Sequence, residues 1–410
     1  DLNGLLLSRI VYSENFILHL EMYGHGTHVA GIIAGNGAQS SGLFSNYKIR
    51  GVAPNVNLID LHALESDGTG TDSSVIAAIQ KAIALKSAYN IRVINLSLGR
   101  PVTGSYKNDP LCQAVEAAWK AGIVVVVAAG NDGRNDSAKT HGYGTITAPG
   151  NDPYVITVGA LNTNGTASRT DDRPTSYSSK GPTLFDHIAK PDLLAPGNGI
   201  CSIRSALSKL DTQYPGNRVP SSAYSLPSLD ASYFQLSGTS MAAPMVSGAA
   251  ALLLQKNPKL SPDQVKAILL KTANKSLPAV STVVDSATQA AYTVYGDLFT
   301  VGAGSLDVAA ALKSTETPSG AAASPIVNFS ASNGVASVSV DGSSVWANTL
   351  VWGTSIVWGT NVIMGNTIVW GTSMVWGTAS GVNAIFSNTL VWGTGGMAGE
   401  TIPVLSGGEK

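Results

Sequence analysis

Cysteine is nearly missing from this 410-residue chain: Cys112 and Cys201 are the only two. At most one bridge can form, so a disulfide-stapled framework is excluded, and the redox compartment stays open. Charge is scarce as well, with Asp, Glu, Lys and Arg at 12% of residues and a net charge of −1. That balance offers no electrostatic pull on a polyanion, so no nucleic acid and no anionic membrane is expected as partner. No apolar run reaches the roughly 20 residues a transmembrane helix needs, so no transmembrane anchor is expected. An initiator methionine and a charged, apolar leader are also missing. The chain opens on Asp1-Leu2-Asn3-Gly4, which reads as the middle of a longer sequence. What it has in quantity is glycine, 44 residues, on a length that supports a full core and more than one domain. The expectation is a compact, loop-rich globular protein.

Residues 50–130 alternate apolar runs with helical patterns. Strands are expected over Val56 to Leu64, Arg92 to Leu98, Ile123 to Ala129 and, further on, Tyr154 to Val158. Helices are expected over Ser73 to Ser87 and about Pro110 to Ala121. Val/Ile runs separated by helices suit a parallel sheet covered on both faces, an α/β class. Chemistry in such sheets gathers at the carboxyl ends of strands. Ser97-Leu98-Gly99 and Gly130-Asn131-Asp132-Gly133 fall there. Asn131 is either a turn residue or an amide donor. Residues 206–234 read as a surface excursion rich in Ser, Pro, Tyr and Asp. A helix is expected from Ser261 to Ala273, and the domain closes at Leu306 to Leu312, after Gly302-Ala303-Gly304.

Two stretches carry chemistry. In Leu236-Ser237-Gly238-Thr239-Ser240-Met241-Ala242-Ala243-Pro244, a glycine turn delivers a serine just before an apolar helix, Met245 to Gln255, with Pro244 near its first turn. Such a serine sits at the positive end of the helix dipole, among free N–H groups that suit a developing oxyanion. Gly-Thr-Ser is equally ordinary helix-cap chemistry. In Gly24-His25-Gly26-Thr27-His28, the histidines stand three apart, whereas the zinc motif HExxH needs four with a glutamate between, so that metal site is excluded. His25 is left as either a reactive imidazole or a satisfied structural one.

Taken in order, Gly24-His25-Gly26-Thr27-His28-Val29-Ala30-Gly31, Asn95-Leu96-Ser97-Leu98-Gly99, Ala128-Ala129-Gly130-Asn131 and Gly238-Thr239-Ser240-Met241-Ala242-Ala243-Pro244 resemble the subtilisin-like serine proteases. The resemblance runs to about residue 312 and includes Gly51-Val52-Ala53-Pro54 and Ala195-Pro196-Gly197. It implies a serine endopeptidase acting on protein or peptide substrates, outside the cell and without a cofactor for its chemistry. Ser240 then matches the nucleophile, His25 the general base and Asn131 the oxyanion donor, with His28 structural. Ser97, Leu98, Gly99, Ala128, Ala129 and Gly130 resemble the wall of the primary specificity pocket, with Thr147 at its floor. Gly68 and Gly70 resemble the opposite edge of the substrate cleft. The family often binds calcium, but no ligand cluster stands out in the sequence.

One family element has no counterpart. The third catalytic residue should be an aspartate ending an apolar strand upstream of His25, and nothing in residues 1–24 fits. Asp1 does not match that position, and Asp60 reads as a strand residue after the histidine. The chain as written is therefore expected to lack its first catalytic strand, and to be weakly stable and nearly inactive. The competing class is a binding or structural module that kept the fold and lost the aspartate; survival of Ser240, His25 and Asn131 argues against it.

Residues 1–312 are thus expected to form the peptidase domain, 313–325 a linker and 326–410 a small β-rich repeat. Six of seven tryptophans fall between 346 and 392. Trp346, Trp352, Trp358, Met364, Trp370 and Trp376 recur every six residues, and Trp392 repeats the Val-Trp-Gly-Thr unit. An even period puts them on one face of extended chain. That ladder is either its own core or an exposed surface for a partner.

Overall fold

The computed structural model describes residues 1–2, 8–17, 23–43, 45, 47–137, 140–225, 230–330, 335–339, 345, 367–369 and 408–409. The chain begins with β1 (Ile10–Asn15), α1 (His25–Ala34), β2 (Leu58–His62), α2 (Asp72–Tyr89) and β3 (Val93–Leu96). Then come α3 (Pro110–Lys120), β4 (Val124–Ala128), β5 (Ile156–Asn162), β6 (Arg173–Pro174) and β7 (Leu193–Pro196). A hairpin-like pair, β8 (Ile200–Ile203) and β9 (Tyr233–Leu236), flanks α4 (Lys209–Gln213) and leads into α5 (Thr239–Lys256). The body closes with α6 (Pro262–Thr272), the hairpin β10 (Val280–Val284) and β11 (Ala291–Tyr295), α7 (Leu298–Val301) and α8 (Val308–Lys313).

The expected α/β sheet is present. β3, β4, β5 and β7 run parallel, with Val93 opposite Val124, Val126 opposite Ile156 and Val158 opposite Leu193. The short β6 pairs antiparallel on β5. Every residue of β4 is buried, as a strand covered on both faces requires. Helix α5 crosses β3, β4, β5 and β7, while α3 lies on β4 beside α2. The starts of α2, α3 and α6 carry side-chain caps, whereas Gly24 and Gly238 open α1 and α5 without one. Thr71 opens α2 and Ser261 opens α6, both through capping boxes, and Asp109 accepts from the Leu111 and Cys112 amides at the start of α3.

A second, separate patch pairs β1 with β2 in parallel, from Ile10 opposite Leu58 to Asn15 opposite His62. Among the described strands, β2 has no partner but β1, and β3 none but β4. Between them runs a slot of about 770 Å³, walled by all of β2 and β3. Val75 and Ile79 of α2 line it, as do Ile33 of α1 and Ser247 and Ala251 of α5. A five-residue strand inside a covered sheet fills roughly 800 Å³, from about 3.3 Å of rise per residue, about 4.8 Å between strands and about 10 Å between layers. The slot has about the volume of one strand.

Residues 206–234 are less of a surface excursion than their composition suggests. Leu210, Asp211, Tyr224 and Tyr233 are buried, and Asp211 takes Arg204 at 2.6 Å and Arg218 at 2.8 Å. Within residues 313–325, Ala322 is buried, and buried Ser324 donates to Asp192, which also pairs with Lys190 at 2.6 Å. Strands β12 (Ile326–Ser330), β13 (Val335–Ser339) and β14 (Thr367–Val369) form a three-stranded antiparallel sheet. The tryptophans of the repeat lie outside the described residues. Cys112 and Cys201 are both free.

Candidate active site

Gly238 has φ +150° and ψ +164°, backbone space that only glycine enters readily. That turn drops the chain into α5, which begins at Thr239, earlier than the apolar run alone suggests. Pro244 therefore lies inside the helix and removes the N–H that would bond the Ser240 carbonyl. The Ser97 hydroxyl replaces it, donating to that carbonyl at 2.8 Å. Ser240 Oγ returns the contact, donating to the Ser97 carbonyl at 3.1 Å. Behind this pair, Asn95 Nδ2 donates to Ser97 Oγ at 3.0 Å, and Ser247 Oγ donates to Asn95 Oδ1 at 2.8 Å. The nucleophile candidate is buried and gripped by the end of β3.

Asn131 follows the carboxyl end of β4 and is buried. Its Oδ1 accepts from the Thr239 amide at 3.0 Å and the Thr239 hydroxyl at 3.2 Å. Its Nδ2 is buried with no hydrogen-bond partner. An orphaned amide costs about 1–3 kcal/mol, so its retention beside the start of α5 fits a donor waiting for an anion. Thr239 is the residue sequence reading missed; its position between Gly238 and Ser240 was the available signal.

His25 is the first residue of α1. Its Nε2 is buried and makes no hydrogen bond, so base and nucleophile are not joined through that atom. Burial pushes its pKa down to about 4, and no carboxylate among the described residues offsets the effect. His28 is different: its Nε2 faces the carbonyls of Ile200 at 3.2 Å and Phe234 at 3.0 Å, so that nitrogen carries the proton and the ring is structural. Burial lowers its pKa to about 3. Neither early aspartate reaches His25. Asp1 takes the Gln39 amide and the Tyr233 hydroxyl, and Asp60 pairs with His62 at 3.0 Å.

The other expected residues fall in two groups. A Cβ on Gly99 would stand 2.5 Å from Thr147 Oγ1, and one on Gly130 would stand 2.8 Å from Thr147 Cγ2. Two glycine backbones therefore sandwich Thr147, whose amide donates to the Ala129 carbonyl at 3.1 Å. Ala128 and Ala129 are buried, so that segment can offer only backbone to a ligand. Gly68 and Gly70 belong to a tight loop, closed where the Glu65 amide donates to the Thr69 carbonyl at 2.7 Å. They border the slot together with Leu98 and Gly99, and Gly68 packs against the Tyr23 ring, two residues before His25. Among the described residues, no cluster of three or more His, Cys, Asp or Glu side chains could hold a metal ion. Among the same residues, no helix is long and apolar enough to cross a membrane.

A family model described as the subtilase family matches residues 13–304. Serine protease AprX of Bacillus subtilis is 44% identical over 261 residues, which cover 62% of this chain and 53% of that protein. Subtilisin DY of Bacillus licheniformis is 37% identical over 250 residues, covering 61% of this chain and 70% of the relative. The chain thus spans about half the length of the first of these relatives. Among solved structures, Sphericase superimposes with a TM-score of 0.53 at 26% identity, covering 72% of this chain and 85% of its own.

Proposed function

We propose, from the premise that this chain belongs to the subtilase family, that it is a serine endopeptidase whose acyl-enzyme forms on Ser240. In this reading His25 takes the Ser240 proton and later gives it to the leaving amine, while Asn131 Nδ2 donates to the tetrahedral oxyanion. The observation that carries it is Asn131: Thr239 holds its carbonyl end, and its amide end is buried and unpaired next to the serine. Subtilases need no cofactor for this chemistry. Calcium, if bound, would be structural. Protein substrates would lie extended between Ser97-Leu98-Gly99 and Gly68-Thr69-Gly70, with a side chain directed toward Thr147. Action outside the cell is inferred from the family. Residues 1–312 would be the peptidase body, with 326–410 attached through 313–325.

The carboxylate that should orient His25 is assigned to the slot. β2 and β3 each offer an open edge there, and the loop following β2 and the end of β3 converge near Tyr23-Gly24-His25 and Ser240. An extended apolar segment lying between them and ending in an aspartate would complete the sheet and bring a carboxylate toward the imidazole. In a subtilisin, losing that group costs roughly four orders of magnitude in turnover. Without such a segment in place, the body is expected to be a slow enzyme. Nothing observed favours a purely structural module.

The test is labelling with a serine-directed fluorophosphonate followed by peptide mapping. Label is expected on Ser240 and absent from the Ser240→Ala chain. Label elsewhere, or label that survives the substitution, sinks the assignment.

A further inference from the structure

We propose that the body carries a recessed acceptor site for a glycine–glutamate segment, filled in cis by Gly408–Glu409. It ties the far end of the tryptophan-repeat region to the loops bearing Asn131 and Ser240. The site lies outside the matched residues 13–304 on its ligand side, and the peptidase chemistry makes no use of it.

The Glu409 side chain has no exposure. A buried carboxylate persists only if its lone pairs are met by donors, and here they are. The Ser176 amide donates to both oxygens at 3.1 Å, its hydroxyl donates as well, and Arg134 Nη2 stands 2.6 Å from Oε1. The guanidinium is itself held, with Nη1 on Asp285 at 2.6 Å and its face on the Tyr292 ring. The backbone is read too. Asn198 accepts from the Glu409 amide at 2.7 Å and donates to its carbonyl at 2.8 Å. Gly408 has φ +66°, and a Cβ there would stand 2.5 Å from Ser237 Oγ. Glycine before glutamate is what the site accepts.

Its position relative to Ser240 gives it meaning. Arg134 follows Asn131 by three residues, and Ser237 precedes Ser240 by three. Asn198 adjoins Gly197, whose carbonyl takes the Gly238 amide at 2.8 Å. The chain leaves the body at β12, where the Ala189 amide bonds the Pro325 carbonyl and the Val327 amide bonds the His187 carbonyl, and returns at Gly408. The intervening sequence is thus anchored at both ends.

A fluorescein-labelled peptide Ser-Gly-Gly-Glu-Lys, titrated into the full chain and its Glu409→Ala variant, tests the site by anisotropy. The variant should bind the peptide at least tenfold more tightly than the wild-type chain, whose own segment competes at millimolar effective concentration. A Gln-for-Glu peptide should bind the variant at least tenfold more weakly. No binding to the variant, equal binding to both chains, or equal binding of both peptides overturns the proposal. Should the variant fail to fold, hydrogen exchange in the wild-type chain decides. Slow exchange at the Ser176 and Glu409 amides supports the contact, and exchange at free-peptide rates overturns it.

Discussion

β4 and β2 are strands of the same length in the same body, the first wholly apolar and the second carrying Asp60 and His62 among its apolar residues, and they meet different fates. Val124 to Ala128 are all buried, whereas each residue from Leu58 to His62 is only half-buried. β3 stands at the boundary, with Leu96 buried and Val93, Ile94 and Asn95 half-buried. Apolar composition marks a strand for the interior, but only a neighbour on each edge and a layer on each face put it there. On the β4 side that neighbourhood is complete. On the β2 side the helices are in place and the strand between is not among the described elements.

The sharpest way to break the contrast is to fill the slot. An apolar peptide of about six residues ending in Asp-Gly, added to residues 1–410, should speed fluorophosphonate labelling of Ser240 by about 10³- to 10⁴-fold, and an Asn-Gly counterpart should not. Equal rates with both peptides would refute the assignment of the carboxylate to that strand. Next in size, Asn131→Ala should cost about 10²- to 10³-fold in turnover of the peptide-activated chain, read as kcat with KM little changed.

Two further measurements compare the sheet halves directly. Ile156→Ala, in the fully buried β5, should lower unfolding free energy by about 2–5 kcal/mol, as a large-to-small core change does. Ile59→Ala, on the wall of the slot, should cost about 1 kcal/mol or less, because its side chain already lacks part of its packing. Urea titrations of both variants would show it, and equal losses would mean that the slot is closed in solution. The smallest effect is on pH. Burial holds His25 near a pKa of about 4 and His28 near about 3, below the ordinary 6.5. The unfolded chain therefore binds protons first as pH falls, and stability should drop from about pH 6.5 downward through those folded values. The filled slot should raise the His25 pKa, which NMR titration would follow, and leave His28 unmoved.

The legible parts of the sequence are those where one physical demand dominates. Ile123 to Ala129 reads as an interior strand because nothing but burial explains seven consecutive apolar residues, and the structure places β4 within them. The start of α5 was harder. Pro244 suggests a helix opening near it, and only the Ser97 hydroxyl, 143 residues away, explains why the helix tolerates proline inside. Thr239 was overlooked for the same reason, since its partner Asn131 is 108 residues distant. Residues 206–234 look like solvent-facing loop because Asp and Arg are polar singly, and only their pairing around Asp211 allows burial. Glu409, after Gly407 and Gly408, carries no local signal; its contacts come from Arg134, Ser176 and Asn198, all far away in the sequence.

The reciprocal bonds between Ser97 and Ser240 have a mechanical consequence. They make the rim of β3 the ruler against which the serine is placed, in addition to the helix beneath it. Asn95 and Ser247, which steady that ruler, also face the slot. Whatever wedges itself alongside β3 therefore sets the reading on the scale, so assembly of the sheet and alignment of the hydroxyl are one adjustment rather than two.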